Sequence, residues 1–525
     1  MKLFHPSLPL GIEGPLVGKL VIWTYIVLLA LLCCYGMHRY LMVFLFYRYK
    51  NRAPKPKEQW KDLPHVTVQL PIFNEAYVVE RLIDATCAIE YPREKLEIQV
   101  LDDSTDDTVE ISRQKVDEWK AKGVDIVFIH RTDRTGYKAG ALDYGMQTMK
   151  GRFVAVFDAD FVPPVDFLQK TIHYFTDDTI GCIQTRWGHL NRDYSMLTYL
   201  QSVLLDGHFM MEHCARNRSG RFFNFSGTAG MWRREAIDSA GGWQHDTLTE
   251  DLDLSFRSQL AKWNFLFLPD SVSPAELPVD MNGFKSQQHR WVKGGMQTSR
   301  KLLWKVLTAK IPLYVKIEAL VHLTGNACYL MMLIMSLMMA PVTYYRVKMN
   351  LQASVWLDLG VFMMATFSVF IFYALSQKEC YGFKQALRTI LYLPMLLAVG
   401  IGMSVSNTRA ILEGLFTKMG GEFVRTPKYA IAKNVDTMKG KKYRVNFNIV
   451  LPAIEFAMAA MFAVIIGYSA QQEMWGAIPF QALFLFGFGY VGVLSLVQSC
   501  APATVAAVEK RPAAVPEPEP VEVSR

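Results

Sequence analysis

Two patterns of apolar and polar positions alternate along this chain. A run from roughly Leu20 to Phe46 exceeds the ~20 apolar residues needed to cross a bilayer and is closed by Arg48, Lys50, Arg52, Lys55 and Lys57. With no small-residue cleavage site, it reads as a retained anchor rather than a signal peptide. From His65 to about Trp304 no run reaches span length. Short β-branched strands at His65–Leu70, Glu97–Leu101, Asp125–His130 and Phe153–Phe157 alternate with helical stretches at Ala76–Ile89, Asp106–Lys122 and Lys138–Met149. This repetition predicts a mostly parallel α/β sheet covered on both faces, with ligands outside the carboxyl ends of its strands. After Lys310, span-length runs return near Val321–Tyr344, Val355–Leu375, Leu387–Val405, Ile449–Tyr468 and Pro479–Val497.

Charge decides how many runs to count as spans. The basic flank after the first run is cytoplasmic by the positive-inside rule, which places the N-terminus outside. Six spans would leave Arg409–Arg444, with nine Lys/Arg against three Asp/Glu, outside as well. Demoting Leu387–Val405, which holds Pro394 and several Gly, to an interfacial or re-entrant helix removes the conflict. Five spans then give a cytoplasmic α/β domain and C-terminus. The expected units are 1–50 (anchor), 51–305 (α/β domain), 306–500 (membrane, with a loop region at 407–445) and a disordered Pro/Glu/Val-rich tail at 501–525.

Composition agrees. Of the 525 residues, 51% are hydrophobic and 20% charged, which excludes a disordered chain. The net charge of +8 forms no concentrated basic stripe, so nucleic acid is not an expected partner. The eight Cys form no CxxC pair and suggest neither a zinc site nor a disulfide framework.

The expected strand ends are rich in acids: Glu75 after the first, Asp102 and Asp103 after the second, Asp158 and Asp160 after the fourth. Alone, such a loop is commonly a turn or helix cap; three at equivalent positions point to a site. Carboxylates as close as Asp158 and Asp160 repel unless a cation lies between them. Mg2+ or Mn2+, completed by water and substrate phosphate, suits that donor type. Lys138 stands in the first turn of a helix opening at Gly136, where phosphate is favoured. A Gly-rich turn with a solvated lysine is the plainer reading. Thr249-Glu250-Asp251 reads either as a capped helix start or as the seat of a general base, Asp251. Gln287 and Arg290 share a helical face beside Trp291. A guanidinium fork suits diphosphate and an indole suits the C–H face of a sugar, although both also anchor helices at membrane interfaces.

In order, Asp103 (with Asp102), Asp158/Asp160, Thr249-Glu250-Asp251 and Gln287/Arg290/Trp291 match a D, DxD, TED, QxxRW pattern. Over about residues 20–500 the chain therefore resembles glycosyltransferase family 2, in the processive membrane-embedded branch of cellulose, hyaluronan and chitin synthases. LPIFNE, LDDSTD, GYKAGAL, DADF, FSGTAG, TLTEDLDL and QQHRW look most like its cellulose synthase-like mannan and glucan synthases. The resemblance implies a GT-A-type (Rossmann-like) domain inserted between transmembrane helices. It implies that Glu75, Asp102, Asp103, Lys138, Asp158, Gln287 and Arg290 hold the nucleotide diphosphate, with Asp158 and Asp160 on the metal. It makes Asp251 the base beside Glu250, gives Arg290 the leaving diphosphate, and sets Trp291 with Ser226, Gly227 and Thr228 against the acceptor. Gly421–Lys428 resembles a gating loop, but departs from FxVTxK in having Arg425 between Val424 and Thr426.

The reaction so implied is an inverting, processive transfer from UDP-glucose or GDP-mannose to a growing polysaccharide. The enzyme would sit in the cytoplasmic (inner or plasma) membrane among its lipids, with Thr324, Asn326 and Tyr329 as channel-wall candidates or helix–helix contacts. The nearest rival is a non-processive enzyme adding one sugar to a lipid carrier.

Overall fold

The computed structural model describes residues 14–432, 443 and 449–500. The span-length apolar runs and the alternating segment both become regular structure. Seven strands form one sheet: β1 (Val66–Ile72), β2 (Leu96–Asp102), β3 (Ile126–His130), β4 (Phe153–Val156), β5 (Ile180–His189), β6 (Gly230–Arg233) and β7 (Asn264–Ala275). Their order is β3-β2-β1-β4-β6-β5-β7. Only β6 runs against its neighbours, β4 and β5. The four strands and three helices expected from the sequence are present, with ends shifted by up to three residues.

Helices cover both faces of the sheet, and its buried polar side chains are paired: Gln69 Nε2 donates to Gln99 Oε1 at 3.0 Å and Thr67 Oγ1 to Glu97 Oε2 at 2.7 Å. On one face Val68, Leu70, Val100 and Ala155 pack under α2 (Val79–Cys87), with α3 (Thr108–Ala121) beside it. On the other, Leu101, Val154 and Val156 meet Leu142 and Met146 of α4 (Tyr137–Thr148). Four further helices complete the domain near the sheet: α5 (Phe167–Thr171), α6 (Met196–Asp206), α7 (Cys214–Arg218) and α8 (Arg234–Ser239). A π-helical turn, Gly207–His213, links α6 to α7. α9 (Glu250–Leu260) and the long α10 (Met281–Thr308) then close over the carboxyl ends of the strands.

Outside the domain lie α1 (Pro15–Tyr49), α11 (Leu313–Thr324), α12 (Ala327–Lys348), α13 (Val355–Tyr381), α14 (Phe383–Gly402), α15 (Ser404–Phe416), α16 (Val450–Gln471) and α17 (Ile478–Cys500). Among the described residues, six helical segments are long and apolar enough to cross a membrane, Phe383–Gly402 being one of them. That segment is amphipathic. It buries Ala386, Thr389, Leu393 and Leu396 and leaves Leu387 and Leu391 exposed. Leu393 and Leu396 join the core shared with Leu197 and Leu200 of α6. Met42 of α1, Phe372 of α13 and Val491 of α17 belong to the same core, and a second cluster around Tyr25, Met335, Phe462 and Phe488 takes in Ile401 of this segment.

Polar contacts tie the domain to these helices. Lys285 of α10 donates to both oxygens of Glu455 in α16, at 2.6 and 2.8 Å. Asn282 donates to Ser499 of α17 at 2.9 Å. Removing one partner from a buried pair such as Lys285–Glu455 costs about 3–5 kcal/mol, so the pair fixes α10 against the membrane helices. Thr324 shares a hydroxyl hydrogen bond with Tyr35 of α1 at 2.7 Å, a helix–helix contact. The end of the 407–445 region, except for residue 443, and the 501–525 tail lie outside the described residues.

Candidate active site

The carboxyl ends of β1, β2 and β4 open into one cavity. Asn74 links the first two loops. At φ 54° it adopts the left-handed conformation that Asn tolerates. Its N–H donates to Ser104 Oγ at 2.8 Å, and its Oδ1 accepts from the Thr105 N–H at 2.8 Å. Glu75 beyond it faces the cavity and pairs with Arg425 at 3.0 Å. Burial pushes its carboxyl up to about 8 despite that guanidinium.

Asp102 and Asp103 diverge as neighbours in an extended chain must. Asp103 lines the cavity and takes the Arg131 fork at 2.8 and 2.6 Å. Asp102 is fully buried, its Oδ2 bonded to His130 Nδ1 at 2.7 Å. The implied nucleotide contact from Asp102 is therefore corrected to a supporting position behind the wall. Arg134 lies over Phe73, 3.2 Å from the ring centroid, and adds a cation to the same side.

Lys138 occupies the first turn of α4, where the backbone is tightly wound: a Cβ on Gly140 would come 2.1 Å from Thr135 O. Its ammonium lies 2.5 Å from Asp158 Oδ1 and donates to Gly227 O at 2.9 Å. It is thus a cavity-wall lysine rather than a solvated one. Burial raises the Asp158 carboxyl, with Lys138 acting the other way and Asp160 reinforcing it. The Asp158 N–H donates to Thr228 Oγ1 at 2.9 Å. Thr228 is buried behind the loop while Ser226 and Gly227 reach the cavity, so the expected acceptor contact from Thr228 is corrected to a bracing role.

Thr249 does not cap α9. Its hydroxyl shares a hydrogen bond with Thr298 Oγ1 of α10 at 3.1 Å. Glu250 and Asp251 follow in the first turn and both line the cavity. Asp251 Oδ1 accepts from the Leu252 N–H at 2.8 Å. Burial, then the adjacent Glu250 carboxylate, push Asp251 up to about 7. Glu250 is raised too, mainly by burial. Two such carboxyls titrate as a pair.

From α10, whose N-terminus Asp280 caps by accepting from the Gly283 N–H at 2.7 Å, Gln287, Arg290 and Trp291 face the same cavity. The segment 420–428 crosses it. Arg290 donates to Thr426 Oγ1 at 3.0 Å and lies over the Phe423 ring at 4.6 Å. Lys428 stands 2.6 Å from Asp160 Oδ2. The candidate gating segment thus contacts the DxD and QxxRW residues directly. Sequence reasoning missed Arg131, Arg134 and Trp187. The first two follow a strand end, the one available signal, whereas Trp187 sits in a strand that the apolar pattern did not reveal.

The donor set suits a divalent cation only in company with substrate. Among the described residues no group of three or more His, Cys, Asp or Glu is placed to hold a metal. Two carboxylates, Asp158 and Asp160, stand on one loop and are balanced here by Lys138 and Lys428. One or two carboxylates with diphosphate and water is the ordinary Mg2+ arrangement.

Residues 64–294 match the family described as Glycosyltransferase like family 2. Probable glucomannan 4-beta-mannosyltransferase 6 of Oryza sativa subsp. japonica is 41% identical over 252 residues, 47% of this chain; the match spans less than half of that relative, 44%. Glucomannan 4-beta-mannosyltransferase 1 of the same plant is 32% identical over 446 residues, covering 82% of this chain and 83% of the relative. Among solved structures, mannosyltransferase PcManGT of Pyrobaculum calidifontis, in complex with GDP-Man and Mn2+, aligns at TM-score 0.48 and 20% identity, over 74% of this chain and 99% of that one.

Proposed function

The chain belongs to glycosyltransferase family 2, in its cellulose synthase-like branch, and on that premise we propose that it polymerises a β-linked hexose polysaccharide, a mannan, glucomannan or glucan, from a nucleotide sugar. The observation that carries this reading is the convergence of Asp251, Lys138, Asp158, Arg290 and Trp291 on one cavity. It supplies a base, cations for a diphosphate and an indole for a sugar within one enclosure. The names of the relatives support mannose as the transferred sugar.

In the proposed step an acceptor hydroxyl attacks the anomeric carbon, the bond from that carbon to the diphosphate oxygen breaks, and the hydroxyl proton passes to Asp251. With one base and no covalent intermediate, the configuration inverts to β. Arg290 and Lys138 bind the diphosphate oxygens as negative charge develops on them. Asp158 and Asp160 would hold Mg2+ or Mn2+, which supplies further charge neutralisation. Segment 420–428 would move for donor to enter, since Lys428 and Arg425 pair with Asp160 and Glu75.

We assign residues 51–305 to the catalytic unit and 306–500 to the membrane unit. The basic stretch Arg409–Arg444, which six spans would leave outside, supports an interfacial position for α14, leaving five spans and a cytoplasmic catalytic domain. A panel of nucleotide hexoses tests the activity. Nucleoside diphosphate release is expected with GDP-mannose or UDP-glucose, and stops on chelation until Mg2+ or Mn2+ is restored. A purified protein that releases none from any donor, with acceptor and cation present, would refute the assignment.

A further inference from the structure

Trp187 and His189 lie two residues apart on β5 and therefore share one face of the strand; both line the cavity beside Trp291. The Trp187 and Trp291 ring centroids are 6.4 Å apart and inclined by 56°. They make a continuous aromatic wall rather than a stacked pair. Trp187 is braced by Phe161 at 5.2 Å and Phe209 at 5.0 Å. Its indole Nε1 and the Nδ1 of His189 have no hydrogen-bond partner among the described residues, although buried polar groups are generally satisfied. His189 is oriented from below: its Nε2 bonds Asp206 Oδ1 at 3.1 Å. The other Asp206 oxygen accepts from Gln377 of α13 at 2.8 Å. The wall therefore extends from the bond-forming end of the cavity toward a membrane helix.

Resting on the reading of the site as a glycan polymerase, we infer that Trp187 and His189 form a second acceptor subsite, which binds the penultimate pyranose of the growing chain while Trp291 holds the terminal one. The apolar face of that ring lies on the Trp187 indole, and its hydroxyls satisfy the two unpartnered nitrogens. A two-sugar acceptor then gains contacts that a single sugar lacks.

The full-length protein, with the donor active in the panel, is assayed on methyl β-mannopyranoside and β-1,4-mannobiose, or on the gluco equivalents if glucose is transferred. Wild type is expected to show a KM for the disaccharide lower by roughly tenfold, the scale of one aromatic contact. Trp187→Ala removes most of that advantage while the nucleoside diphosphate Kd stays unchanged. Trp187→Leu, which retains bulk without an aromatic face, does the same and serves if the alanine variant misfolds. An advantage that persists in both variants overturns the subsite, as does a wild type that uses both acceptors equally. Transfer to neither acceptor, with no polymer formed, would refute the polymerase reading and the subsite with it.

Discussion

Asp251→Asn is expected to bind nucleoside diphosphate with near wild-type affinity and to lose roughly 10²–10⁴-fold in transfer rate, the usual contribution of a positioned general base. The substitution is nearly isosteric and keeps an oxygen for the Leu252 N–H, so α9 retains its first turn. What disappears is the site that receives the acceptor proton. Because burial and Glu250 push Asp251 up to about 7, its working, deprotonated form predominates only above that pH. Wild-type kcat/KM is therefore expected to fall about tenfold per unit as pH drops below 7 and to level off above it. The limb belongs to the Glu250–Asp251 pair and is absent from the residual activity of Asp251→Asn. A variant that transfers at the wild-type rate would place the base elsewhere.

Arg290→Ala should reduce kcat by roughly 10²–10³-fold, comparable with losing one transition-state donor in an enclosed site. The guanidinium enters the cavity from α10, a helix held by the Asp280 cap and the Lys285–Glu455 pair, and is positioned before substrate arrives. Its partners here, Thr426 Oγ1 and the Phe423 ring, leave it free to exchange them for diphosphate oxygens. Arg290→Lys should recover little, since an ammonium lacks the paired donors of the fork. Loss confined to donor KM, with kcat unchanged, would instead make Arg290 a ground-state binder.

Much of this site was legible because the first strands are short, rich in β-branched residues and bounded by polar loops, and Asp103 and Asp158 stand immediately beyond them, with Glu75 three residues after the first. The other half of the sheet was not. β5 includes Gln184, Thr185 and Arg186, and β6 has only four residues. β7, an edge strand, contains Pro269 and Pro274, with a register shift where Arg186 Nε reaches Pro269 O at 2.9 Å; edges and bulges tolerate proline. Trp187 was hidden for that reason. Asp102 was misassigned because sequence does not show which of two adjacent acids turns inward. The counter-charges from Arg425 and Lys428 lie in an irregular segment with no periodic signal.

The central claim is β-linked polymerisation, and the most direct test is the size and anomeric linkage of the product formed by purified protein from labelled donor. A polymer of one hexose joined by β-linkages, in protein that also releases nucleoside diphosphate, is the predicted result. A single glycosylated lipid, or an α-linked product, would contradict it.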